Sequence, residues 1–179
     1  MRPQSPDGPR RSPLRRGLDA LYLGSGVIAA MCLVAILAII VAQMVARWAG
    51  ATFPGASSYA GYAMAAASFF AFAHALDRGA HIRVGILLNA AGRHRRWFEV
   101  WCHAIGAAAA WFLAWNAARL VSWSWTLGDV SQGQDATPLW IPQLAMATGS
   151  VVFAVALTDH LLRAVLGRLE PAPAEARAE

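Results

Sequence analysis

The chain has 179 residues, of which 58% are apolar and 14% charged, and a formal net charge of +5. Soluble domains carry about 25% charged residues, so an ordinary soluble fold is excluded. All fifteen basic residues are Arg, and they are divided among short separated segments rather than gathered on one face, which excludes a nucleic-acid partner.

Residues 1–17 hold four Pro and five Arg (Arg2, Arg10, Arg11, Arg15, Arg16) with almost no apolar side chains. Such a segment cannot bury enough surface to order itself, so a disordered N-terminus is expected. The first apolar stretch follows. Residues 20–46 contain no ionisable side chain but Tyr22 and Cys32, which exceeds the roughly 7 to 15 apolar residues of a signal-peptide core and suits a retained membrane helix over 18–47. It ends at Arg47 and Trp48, an interfacial pair, and the Pro-Gly-Ser segment over 53–58 turns the chain.

A second helix is predicted over 59–76, with Gly61, Ala65, Ala67, Ala71 and Ala75 among its small residues; side chains this small at four-residue spacing allow close packing within the chain or against a partner. In the loop that follows, Val84, Leu87, Leu88 and Ala91 fall at i, i+3, i+4 and i+7 beside Arg83 and Arg93. That spacing predicts a short amphipathic helix lying among the headgroups, where membrane lipids are its partner. A third helix is predicted over 97–127, with Trp97, Trp101, Trp123 and Trp125 near its ends, Trp111 and Trp115 on one deeper face, and Glu99 and Arg119 as its charged residues. Arg119 lies ~33 Å along it from Trp97 at ~1.5 Å per residue, close to the outer interface, where it can snorkel.

The polar, net-negative loop over 128–139 leads into a fourth helix, over 138–163. Its start is open: Thr137 can cap it with Pro138 in the first position, or Pro142 can open it. Asp159 and His160 lie near its end, with Arg163 four residues beyond Asp159 as a pairing partner, and residues 169–179 read as a second disordered tail.

Apolar runs this long must satisfy their own backbone groups, so helices are the economical reading; the short alternating segments of a β-barrel are not visible. The gaps between the stretches hold Arg in a rhythm: five before the first, one after it, five after the second, none between the third and fourth, three after the fourth. Inner loops retain Arg while short exported loops lose it. The expected fold is therefore an all-α integral membrane domain of four transmembrane helices over 18–168, with both termini inside. Cys32 and Cys102 fall at depths too different for a disulfide, and both read as packed apolar residues.

Depth matching brings Gln43, Arg47, Asn116, Arg119 and Gln143 to the outer end together, where they can form a polar cluster. His74, His103 and His160 all fall near inner helix ends. Two of them could ligate a b-type haem, which would make the chain a membrane anchor of an oxidoreductase. No GxSxG, HExxH, CxxC or phosphate-loop pattern is present, so no catalytic group, cofactor or metal is nominated and the expectation is not an enzyme.

With the helices placed, Asp77-Arg78-Gly79-Ala80-His81-Ile82-Arg83-Val84 resembles the R-x-G-x-H-I-x-V signature of the small four-helix, DctQ-like subunit of tripartite ATP-independent periplasmic (TRAP) transporters. Gln43-Met44-Val45-Ala46-Arg47-Trp48 resembles that family's Q-x-x-x-R ending of helix 1, and Thr137-Pro138-Leu139-Trp140-Ile141-Pro142 its entry to helix 4. The likeness covers roughly 18–168. One departure is visible: many members begin helix 2 with acidic residues, where this chain has Ala56-Ser57-Ser58-Tyr59.

The resemblance implies a subunit of a bacterial inner-membrane importer for organic acids, typically carboxylates, driven by a sodium gradient. Its implied partners are a large multi-helix permease subunit, which the small one braces, and a periplasmic substrate-binding protein, which it helps to dock. Arg78, His81 and Arg83 are then expected to fix the inner loop, with Gly79 allowing the turn after helix 2. Gln43, Arg47, Arg119, Pro138, Trp140, Pro142 and the loop over 129–137 are the candidates on the exported side.

Overall fold

The computed structural model describes residues 13–77, 95–133 and 135–166. Among these the chain is helical: α1 (Pro13–Trp48), α2 (Ala56–Asp77), α3 (Arg95–Leu127) and α4 (Trp140–Val165), with one isolated antiparallel bridge between Val130 and Pro138. Among the described residues, three helical segments are long and apolar enough to cross a membrane: Arg15–Trp48, Val100–Leu127 and Trp140–Val165. The 22 residues of α2 reach ~33 Å at ~1.5 Å per residue, but Ser57, Ser58, Ser68, Tyr59, Tyr62 and His74 dilute their apolarity. The amphipathic segment with Val84, Leu87, Leu88 and Ala91, the motif residues Arg78, Gly79, His81 and Arg83, and the two terminal tails beyond residues 13 and 166 lie outside the described residues.

All four helix starts differ from expectation, and at α1 and α4 the difference has a physical reason. Pro13 opens α1 five residues before the predicted position, at the first helical site, where a missing N–H costs nothing. The last helix begins at Trp140, with Leu139 before it and no side-chain cap. Pro138 is held instead in the bridge to Val130, and the Leu139 N–H donates to the Asp129 carbonyl at 3.0 Å. Pro142 then falls in the first turn of α4, where its missing N–H has no intrahelical acceptor to lose.

Sequential helices pair first, α1 on α2 and α3 on α4, and α2 packs on α4 between the pairs, while α1 only grazes α4. The spatial order is therefore α1, α2, α4, α3, with the two longest helices on the flanks. The core between them is built from small side chains, Ala73, Ala107, Ala110, Ala154 and Ala156, around Tyr22, Leu76 and Leu157. Small residues bring helix backbones close enough for dispersion contacts to hold them, which matters where surrounding lipid removes most of the hydrophobic drive.

Close approach is sharpest at two glycines. A Cβ on Gly149 of α4 would lie 2.7 Å from Phe69 Cβ and 3.0 Å from the Phe69 backbone carbon on α2. A Cβ on Gly26 of α1 would lie 2.7 Å from His74 Cγ, and in the space that Gly26 leaves, His74 Nδ1 sits 3.1 Å from the Tyr22 carbonyl oxygen. Gly61, by contrast, faces open space, so the small-residue face that seats α2 runs instead through Ala66, Ala67 and Ala73. Cys32 and Cys102 are free; Cys102 is exposed rather than packed, because it lies on the outward face of a flank helix.

Candidate functional site

The densest polar construction among the described residues is the connection between α3 and α4, where it meets the start of α2. Its sequence turns sharply: Gly128 at φ +67° ends α3, and Ala136 at φ +45° is a non-glycine residue in the left-handed region. Between them the Ser131 N–H donates to the Thr137 carbonyl at 2.8 Å and the Leu139 N–H to Asp129, which closes a short hairpin around the Val130–Pro138 bridge.

Side chains then tie this hairpin to α2. The Tyr62 hydroxyl lies 2.8 Å from Ser131 Oγ and 3.2 Å from Asp135 Oδ2, and Ser131 Oγ donates to Asp135 Oδ1 at 3.1 Å. The Gly133 N–H adds a bond to Ser131 Oγ at 3.2 Å. Asp135 itself lies against Gly55, the residue before α2: a Cβ there would meet Asp135 Cβ at 2.8 Å, and φ is +78°. Both observations require glycine at 55. Helix α2 carries no acidic residue in its first turn, and Asp135 brings a carboxylate to its N-terminal end from the other connection, the sign of charge that end favours.

Hydrogen bonds from the Thr137 side chain foremost, then from the Asp135 backbone, Ser131 and Tyr62, stabilise the ionised carboxylate and hold its pKa down to about 2, outweighing the opposing effect of desolvation. Asp135 therefore stays charged across the whole physiological range. As a fixed anion it can hold a loop in place.

The residues nominated from sequence fall in separate places. Gln43 and Arg47 line an open recess with Ala51, Thr52, Phe53 and Pro54 at the end of α1. The expected polar cluster does not form, because α1 and α3 lie on opposite flanks of the spatial order. Arg119 instead places its guanidinium 5.0 Å from the centre of the Trp123 ring, and Asn116 donates back to the Phe112 carbonyl at 2.8 Å. Trp140 meets Trp125 edge to face at 4.7 Å, closing the α3–α4 junction beneath the hairpin that holds Pro138. Pro142 is half-buried behind it. Trp111 and Trp115 part company: Trp111 Nε1 donates to Thr158 Oγ1 on α4 at 3.1 Å, while Trp115 stays exposed. Asp159 pairs with Arg163 one turn on.

Two of the three histidines come together and the third stands apart. His74 is committed to Tyr22 on α1, whereas the His103 and His160 rings lie parallel between α3 and α4, 6.1 Å apart. Among the described residues, no group of three or more His, Cys, Asp or Glu is placed to hold a metal ion. Sequence reasoning passed over Gly55 and Tyr62, and reached Ser131 and Asp135 only as part of the loop over 129–137. The signal available for them was a polar stretch with glycines at 128 and 133 and two aspartates, opposite a tyrosine one turn inside α2.

A family model described as tripartite ATP-independent periplasmic transporters, DctQ component, matches residues 36–167. No curated protein and no solved structure matches the chain.

Proposed function

The chain belongs to the family of DctQ components of TRAP transporters, which makes it a membrane transport subunit and not an enzyme, and from that premise we propose that it is the small permease subunit of an importer for an organic acid, a carboxylate by class, driven by a sodium gradient. It braces the large permease subunit and helps to dock the periplasmic binding protein. The observation that carries this reading is the family match across the helical region, from within α1 to the end of α4.

Two further features support it. The Arg rhythm along the chain favours a four-span arrangement in the bacterial inner membrane with both termini inside, which puts the α3–α4 hairpin and the recess of Gln43 and Arg47 on the exported side. Substantial faces of α1 and α3 are also left uncovered, including Met31, Val34 and Leu37 on one and Phe112 and Trp115 on the other. Flanks of this kind suit lipid on one side and a larger helical partner on the other. By their place in the motif, Arg78, His81 and Arg83 anchor the inner loop, with Gly79 at its turn.

Co-expression with the large permease subunit tests the reading. The two chains are expected to co-purify in detergent, and Arg78→Gln with Arg83→Gln to preserve membrane insertion while lowering the yield of complex. Failure of the unaltered chain to co-purify would overturn the assignment, and an unchanged yield in the double variant would reduce the motif to charge alone.

A further inference from the structure

We propose that Asp135 and Tyr62 are positioning residues for docking of the periplasmic binding protein: together with Ser131 they hold the α3–α4 hairpin in the one conformation that the binding protein accepts. This deepens the docking role given above and rests on it.

Among the described residues the hairpin's other ties are local to it or lie at its base. Two backbone bonds close it among its described residues, Ser131 to Thr137 and Leu139 to Asp129, the Trp125–Trp140 pair lies at its base, and Asp129, Val130, Gln132 and Pro138 stand exposed. A connection of this composition samples many conformations unless side chains restrain it. The restraint that ties it to α2 is lateral: one carboxylate and two hydroxyls form a closed triangle, Tyr62 to Ser131, Tyr62 to Asp135 and Ser131 to Asp135, with the Thr137 side chain bonding Asp135 from within the loop. Its fixed corner is Tyr62, on the second turn of α2 and braced edge to face by Tyr59 at 6.4 Å. Gly55 completes the seat, since no side chain there could coexist with Asp135. Asp135 and Tyr62 are themselves only partly accessible, whereas Val130 and Gln132 stand outward. The triangle therefore sets the shape of the surface without forming its contacts.

That division of labour gives a kinetic signature. A residue that holds a surface in its competent form changes the fraction of molecules ready to bind, and so lowers the association rate. A residue that touches the partner acts mostly through dissociation. The experiment uses the complex of small and large subunits in nanodiscs, with the cognate binding protein as the probe and association and dissociation followed on a surface. Asp135→Asn and Tyr62→Phe are expected to lower the association rate about 3- to 10-fold, as loss of one or two charge-assisted bonds would, with dissociation within about twofold. Amide exchange at Ser131 and Leu139 should quicken in parallel, while the yield of complex stays unchanged. Gln132→Arg, at the exposed turn, serves as the contact variant and is expected to raise the dissociation rate.

An unaltered association rate in both Asp135→Asn and Tyr62→Phe, with Gln132→Arg effective, overturns the positioning role and leaves docking by the hairpin standing. A loss of affinity expressed wholly in dissociation also overturns it, because the pair would then be contacts. If Gln132→Arg and both other variants bind as the unaltered complex does, the hairpin takes no part in docking and the inference falls with that reading.

Discussion

The substitution Gly149→Ala tests the seam that joins the two helix pairs. The added methyl would stand 2.7 Å from Phe69 Cβ, 3.0 Å from its backbone carbon and 3.3 Å from its carbonyl oxygen, whereas carbon atoms in good contact sit about 3.5–4.0 Å apart. None of these three atoms can be moved by rotating a side chain. Relief therefore requires α2 and α4 to separate by the better part of an ångström, which also loosens the contacts around Ala73, Ala154 and Ala156. Overpacking of this kind costs about 1–3 kcal/mol, and the helix preference of Ala over Gly returns up to about 1 kcal/mol. A net loss of about 1–2 kcal/mol corresponds to a fall in Tm of roughly 2–8 °C for a chain of this size.

Tryptophan fluorescence of the detergent-solubilised chain during heating reads the change. Gly61→Ala is the matched control, because nothing lies within 4 Å of a Cβ there, and it should be neutral or slightly stabilising. Phe69→Ala keeps the offending Cβ and should not rescue Gly149→Ala. The reasoning fails if Gly149→Ala melts with the control, or if Phe69→Ala restores it.

The same logic applies at Gly26→Ala, but here the obstacle is the His74 ring, with Cγ at 2.7 Å and Nδ1 at 2.8 Å from the new methyl. A cost of about 1–3 kcal/mol is expected, largely absent in a His74→Ala background, and a double-mutant cycle measured by thermal unfolding checks it. Gly55→Ala combines a left-handed backbone with a 2.8 Å clash against Asp135 Cβ; amide exchange at Leu139 should quicken while the melting of the helices moves little. For Asp135, the folded pKa lies below the ordinary 3.8, so its contribution to holding the hairpin is fully present above that value and is lost as pH falls towards about 2. The Leu139 amide shift, followed by NMR down the pH scale, should therefore have a midpoint near 2 and be flat between pH 5 and 8. A midpoint close to 3.8 would show that the carboxylate gains nothing from its hydroxyl partners.

Hydropathy and Arg spacing made the helices legible because both report one-dimensional properties: how long a segment stays apolar, and which gaps keep charge. The pairing order was not legible. Depth alone put Asn116 and Arg119 beside Gln43 and Arg47, but depth says nothing about which helix lies next to which, and α1 and α3 stand on opposite flanks. Close packing was visible as a surplus of small residues, yet Gly61 is open and the crossing is made at Gly149, whose single hydrogen is singled out only once Phe69 is opposite it. The start of α4 was not legible for a similar reason, since Pro138 and Pro142 both read as helix openers until the bridge from Pro138 to Val130 is known. The hairpin's polar character could be read directly, whereas the tie to Tyr62 spans 73 positions in the chain and leaves no local pattern.

The spatial order α1, α2, α4, α3 also says something about how such a chain is made. In that order each sequential pair can form without the other, and the two meet chiefly where α2 packs on α4, at Phe69 and Gly149. Synthesis can thus deliver two helical pairs in succession and leave their joining to a later step. A lesion at that late step would not block insertion. It would leave a membrane-resident, half-assembled chain with the facing surfaces of α2 and α4 bare, and that species, rather than a soluble unfolded one, is what cellular quality control would have to recognise.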